Sequence, residues 1–364
     1  MSTAATSTDL QDALQTLLTN FVETGTERGT QVAVYLHGKK IADAWAGVAC
    51  PKSGELVNAD TLFPSFSTSK GVTATIIHLL VERGLLTYDT PISDVWPEFR
   101  GHGKENITVR EALTHTAGLA ELPAELTFGD IMDWQRACAA MERAKPQYAP
   151  GTQFAYHAKT FGWLLGETAR RVDGRPFSLL VEQEMIQPLG LEGLFIGLPN
   201  PEDYLIAVLE EADPVLGTEV PLEGIEDLPA GKVPMFQQMN YGKMHAACLP
   251  SSNGLMNAGS VARFYASLLP GGVDGVEILP ASRITKAMEW STRKDPAGAD
   301  TKWRIGYQYL ACEGYEMFGH GGYGGSMGLA CPELGFALGF TRNRLGGPAN
   351  WEQACLEIIR GLQN

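Results

Sequence analysis

Strand-like runs sit near both ends of this chain while helix-like runs fill its middle, and that order restricts the folds open to it. Residues 8–25 place Leu10, Leu14, Leu17, Leu18 and Phe21 at helical spacing, which predicts an amphipathic helix. Residues 31–36 and 41–46 are β-rich and meet at His37-Gly38-Lys39-Lys40, the pattern of a hairpin. Near the other end, residues 304–310, 314–319, 326–331 and 335–342 read as strands divided by Gly or Pro turns, with 351–362 as a closing helix. Between them, helices are predicted over 128–143, 158–173, 176–188 and 252–269, and Thr108-Val109-Arg110-Glu111 opens another with a capping pattern. Residues 196–250, rich in Pro, Gly and acids, are expected to form a long irregular connection. Strands at the two ends must find one another. The expectation is therefore an α/β fold of the α+β type, with an antiparallel sheet built from both chain ends and flanked by helices. Residues 1–87 and 250–364 would form that part and 88–249 a mainly helical lobe, with the active site between them.

Composition excludes several classes. With 364 residues, 44% hydrophobic and 19% charged, the chain is an ordinary globular sequence large enough for an extensive core. A net charge of −14 with no basic cluster argues against nucleic acid as a partner. No run approaches the length of a membrane-spanning helix, and the Ser/Thr-rich first ten residues lack the basic start and apolar run of a secretory signal. The six cysteines are scattered, with no Cys-x-x-Cys pair, which fits reduced thiols in a cytoplasmic protein. No His-x-x-x-His pair points to a metal, and no cofactor is expected. The oligomeric state stays open, a homodimer included.

Chemistry concentrates at three places. Ser67 and Lys70 form a Ser-x-x-Lys ahead of an apolar stretch that ends near Arg83-Gly84. On a helix that step puts both side chains on one face, where a desolvated lysine can serve as the base a serine nucleophile needs. The pattern alone is weak, because Ser291-Thr292-Arg293-Lys294 repeats it. That second copy precedes Asp295-Pro296 and no apolar helix, so it reads as a solvated helix end. Tyr156 lies in a loop feeding a helix, where a tyrosine either carries protons or simply packs. Residues 319–328, Gly-His-Gly-Gly-Tyr-Gly-Gly-Ser-Met-Gly, form the densest glycine run. Its dinucleotide-like spacing joins two strands with no long helix behind it. Its Gly-x-Ser-x-Gly fails as a nucleophile elbow because no histidine follows His320. A glycine-lined strand edge open to substrate remains. His115 and His157 read as hydrogen-bonded structural residues rather than metal ligands.

Ser67-x-x-Lys70, Tyr156 and His320-Gly321-Gly322, in that order, resemble the serine β-lactamase and penicillin-binding-protein superfamily, and within it the class C branch. The phrases Leu113-Thr114-His115-Thr116-Ala117-Gly118-Leu119 and Ala149-Pro150-Gly151-Thr152 look most like family VIII carboxylesterases and related acyltransferases. The resemblance implies a β-lactamase-like fold and a serine hydrolase that cleaves small-molecule esters of short or medium acyl chains. Ser67 would form the acyl-enzyme, Lys70 and Tyr156 would share the proton work, and the backbone N–H groups of Ser67 and Tyr323 would form the oxyanion hole. His157, His320, Gly321 and Gly322 would touch substrate. Acyl transfer or amide hydrolysis at the same site is the alternative, and β-lactam hydrolysis a weaker one. Two departures tilt the chain from β-lactams toward esters: Ala158 stands where β-lactamases have Asn, and His320 where they have Lys. Arg342 and Arg344 would restore part of the lost anion binding.

Overall fold

The computed structural model describes residues 7–348 and 350–363. The start of the chain, where no secretory signal is expected, lies mostly outside the described residues. The first predicted helix is α1, Ser7–Glu23, followed by the hairpin of β1, Gly29–Leu36, and β2, Lys39–Cys50, with a short β3 at Glu55–Leu56. Three further helices matter for the site and its support: α2, Ser69–Glu82; α3, Thr160–Asp173; and α4, Ala258–Ala266. The last third supplies β4, Gln308–Cys312; β5, Tyr315–Gly321; β6, Met327–Cys331; β7, Phe336–Arg342; and the closing helix α5, Trp351–Gln363.

These strands form one antiparallel sheet in the order β4-β5-β6-β7-β1-β2-β3. The two chain ends join where β1 pairs with β7, Val32 opposite Phe340 and Val34 opposite Leu338. Because side chains alternate along a strand, β1 serves two cores. Val32 and Val34 pack in a cluster with Leu14 and Leu18 of α1 and Ile358 of α5. Ala33 and Tyr35 face the larger cluster that contains α2, α3 and α4. The face toward α4 carries small residues, which lets that helix sit directly on the strands. A Cβ on Gly339 would fall 2.1 Å from the Ala258 carbonyl oxygen, and one on Gly328 2.3 Å from the Tyr265 ring.

Several expectations are corrected. The helix predicted over 128–143 is two, Phe128–Met132 and Trp134–Arg143, parted at Asp133, whose carboxylate accepts from the Arg136 N–H. The connection over 196–250 holds two short helices, Met235–Asn240 and Gly242–Ala246. The strand predicted at 304–310 turns at Gly306, where φ is +86° and a Cβ would meet Ala74 at 2.6 Å. Its first residue, Arg304, belongs instead to a separate hairpin of Asp300–Arg304 with Trp290–Lys294. The second Ser-x-x-Lys is thus an exposed strand, not a helix end. Asp295 supplies the turn, its carboxylate accepting from the Ala299 N–H at 2.8 Å.

Candidate active site

Ser67 occupies a 3₁₀ turn, Phe66–Thr68, just before α2 rather than the helix itself. The preceding Phe66 holds φ at +47°, a left-handed conformation costly for a bulky residue. Packing over-determines it: the ring is buried and meets the Tyr323 ring edge-on at 5.5 Å. The Ser69 hydroxyl donates to the Phe66 carbonyl at 2.6 Å and accepts from the Gly254 N–H at 2.9 Å. Ser67 is left half-buried at the surface of this turn.

Lys70 follows one turn later and is fully buried. Its Nζ lies 3.1 Å from Ser67 Oγ, 2.6 Å from the Ala158 carbonyl and 2.9 Å from the Ser251 carbonyl. Burial, helped by the nearby positive Lys159, holds its pKa well below the ordinary lysine value. The two carbonyls can only accept, so they take two N–H groups. In the neutral amine the remaining position, facing Ser67, is a lone pair. That is the geometry of a base.

Tyr156 completes the group, its hydroxyl near enough to Ser67 to be influenced by it and its ring 4.9 Å from Lys70 Nζ. The residue is 37% exposed through its ring while the hydroxyl points inward. Burial of that end raises the phenol above its usual pKa and keeps it protonated. The ring rests on an aromatic bed, with His115 at 4.6 Å, Trp303 at 6.0 Å and His320 at 6.2 Å between centroids.

The structure places two of the expected substrate contacts, His157 and His320, inside the protein. His157 is fully buried, its Nδ1–H donating to the Ala155 carbonyl at 2.6 Å and its Nε2 accepting from the Leu119 N–H at 3.0 Å. Both nitrogens are committed to the loops beneath Tyr156, as the structural reading of this residue has it. His320 is buried too, its Nδ1–H donating to the Gly321 carbonyl at 2.8 Å, and burial lowers its pKa to about 3. It backs Tyr156 as a neutral ring. His115 likewise points inward, accepting the His157 N–H on Nδ1 at 3.0 Å.

The glycine run has a packing reason besides the expected one. β4 pairs with β5 only as far as Gln308 opposite Gly319, so His320 and Gly321 at the end of β5 have no β4 strand partner on that side. The glycines also let the loop after β5 press against the nucleophile turn. A Cβ on Gly322 would fall 2.1 Å from the Ser65 carbonyl oxygen. This approach sets Tyr323 beside Phe66, and neither the Ser67 nor the Tyr323 N–H has a backbone acceptor among the described residues. Both donors are free for a developing oxyanion. Gly321 is held by its own N–H, which donates to the Gln308 side chain at 2.8 Å. Arg342 is no substitute anion site, because it is buried in an ion pair with buried Glu27 at 2.8 Å.

Sequence reasoning missed the Ala158 and Ser251 carbonyls, which fix Lys70, since a backbone acceptor leaves no mark in residue type. It also missed Trp303. Among the described residues no His, Cys, Asp and Glu group is arranged to hold a metal ion, and no helix is long and apolar enough to cross a membrane.

Comparison with known proteins agrees with this geometry. The chain is 33% identical over 341 residues to the Esterase/beta-lactamase LipL of Mycobacterium tuberculosis, covering 88% of this chain and 78% of LipL. Its structure superposes on a family VIII carboxylesterase with a TM-score of 0.83 at 27% identity, covering 97% of each chain. It superposes on a penicillin-binding protein homologue from Caulobacter crescentus with a TM-score of 0.84 at 30% identity, over 97% of this chain and 98% of that one. The beta-lactamase family model matches residues 14–357, and with Ser67, Lys70 and Tyr156 gathered at one point, the chain belongs to the beta-lactamase family.

Proposed function

We propose that this protein is a serine carboxylesterase acting on small esters of short or medium acyl chains, its site lying between the sheet part (1–87 with 250–364) and the helical part (88–249). The observation that carries it is Lys70 held by two carbonyls with its free position on Ser67 Oγ. Lys70, neutral, takes the hydroxyl proton as Ser67 Oγ attacks the ester carbonyl. The oxyanion that forms is met by the Ser67 and Tyr323 N–H groups. As the tetrahedral species collapses, the Tyr156 phenol gives its proton to the leaving alcohol, and the Lys70 ammonium restores it. Water then attacks the Ser67 ester by the same route, returning acid and free enzyme.

Esters fit better than β-lactams. Ala158 offers no side-chain amide, His320 is buried and neutral, and Arg342 is tied to Glu27. The unpaired state of all six cysteines supports a reducing, cytoplasmic setting. The test is hydrolysis of p-nitrophenyl butyrate together with a fluorophosphonate label located by mass spectrometry. We expect rapid hydrolysis and label on Ser67; label on Ser326 or Ser291 instead would end this reading.

A further inference from the structure

A cavity of about 430 Å³ opens beside the nucleophile, between Ala158-Lys159 on one side and Tyr323 on the other. Ala158 is the residue whose carbonyl fixes Lys70, and Tyr323 carries the proposed second oxyanion N–H, so the cavity adjoins the site at Ser67. Leu122, Val233 and Phe236 make its wall apolar. One group breaks the pattern. Lys159, half-buried, points its ammonium at the Gln238 side-chain oxygen at 2.5 Å. Gln238 is oriented for this by donating its own NH₂ to the Ala230 and Val233 carbonyls at 3.0 and 2.7 Å.

Elsewhere the structure treats its ammonium groups differently. Lys40, Lys243 and Lys286 meet carboxylates, and buried Lys104 gives two N–H groups to the Met141 and Glu142 carbonyls. Lys159 has one neutral acceptor, which leaves two N–H donors over the cavity. Glu211, also on the cavity wall, is already engaged by the Asp213 N–H and the Tyr323 hydroxyl. A partly desolvated ammonium without a carboxylate is costly, and the beginning of α3 immediately after it adds partial positive charge. A bound carboxylate would satisfy both, through hydrogen bonds roughly twice as strong as neutral ones.

We infer that this cavity selects esters that carry a carboxylate away from the scissile bond, with Lys159 as its counter-ion. The inference rests on the esterase reading and narrows its substrate class. It also has a pH signature. Burial lowers Lys159 to about 8, so its charge, and with it the preference, is lost as pH rises past that value. The charged or titratable groups facing it are Lys70 behind Ala158, and Glu211, Lys232 and Tyr323 around the cavity.

The test compares kcat/KM within matched pairs, after subtracting uncatalysed hydrolysis. One pair places the carboxylate on the acyl side, p-nitrophenyl hydrogen succinate against p-nitrophenyl butyrate. The other places it on the alcohol side, 4-carboxyphenyl butyrate against phenyl butyrate. In one pair we expect a preference of about 10-fold or more for the carboxylate at pH 7. That ratio should collapse toward one in Lys159→Gln and at pH 9.5, and persist in Lys159→Arg. Effects passing through Lys70 touch both members of a pair and cancel in the ratio. Ratios near one in both pairs, or a ratio indifferent to Lys159→Gln, overturn the inference; if that variant does not fold, the wild-type pH dependence decides. Ser67→Ala on butyrate keeps the two readings apart, because survival of hydrolysis there sinks the esterase itself rather than the pocket.

Discussion

At Ser67 the lysine three residues on is fully buried, bonded to two carbonyls and aimed at the hydroxyl. At Ser291 the lysine three residues on is 66% exposed in its side chain and pairs with Asp300 at 3.1 Å. The residue pattern is the same and the chemistry is not. A turn entering a buried helix stacks residues i and i+3 on one face, whereas a strand sends them to opposite faces. Burial then does what spacing cannot: it holds the Lys70 pKa well below the ordinary lysine value.

The comparison can be broken at several levels. Ser67→Ala should lower ester kcat/KM more than about a thousandfold, while Ser291→Ala leaves it within about twofold; equal losses would erase the distinction. Lys70→Met should cost about 10² to 10⁴ in kcat/KM, with no effect from Lys294→Met. In the wild type the base must be deprotonated, so kcat/KM falls as pH drops through the lowered Lys70 pKa, and the acid limb of the profile should lie far below the ordinary lysine range. A limb near pH 10 would contradict the burial argument. Gly322→Ala forces a Cβ onto the Ser65 carbonyl and should displace the nucleophile turn, lowering kcat about 10²-fold. Gly298→Ala, in the turn of the Ser291 hairpin at φ +85° with open space around it, should cost about 1–2 kcal/mol of stability in urea unfolding and spare activity. Smallest of all, Lys294→Ala removes an exposed ion pair and an exposed hydrogen bond to the Gly298 carbonyl, and should shift stability by less than about 0.5 kcal/mol.

The same contrast shows what residue order reveals. Periodicity located α1, the first hairpin and the strands at both ends, because each buries a face and so must repeat its apolar residues. The order of Ser67, Tyr156 and the glycine run pointed to one site. What stayed hidden depended on contacts with no local signature. Gly322 looked like an opening for substrate because nothing nearby in the chain reveals Ser65 above it. Arg342 looked available because its partner, Glu27, lies more than three hundred residues away. His157 and His320 sat in the right motifs, yet backbone partners turn both inward. Asp295-Pro296 marked a break without saying whether a helix or a strand ends there.

The pairing of β1 with β7 bears on how the protein is made. The ribosome releases Ser67 and Lys70 early, but β5 and its Tyr323 loop, which carries the second proposed oxyanion donor, come some 250 residues later. Contacts that distant form slowly and only once both partners exist. A nascent chain therefore holds a lysine and a serine without the loop that carries the other proposed donor, and the proposed site is complete only when synthesis is nearly finished.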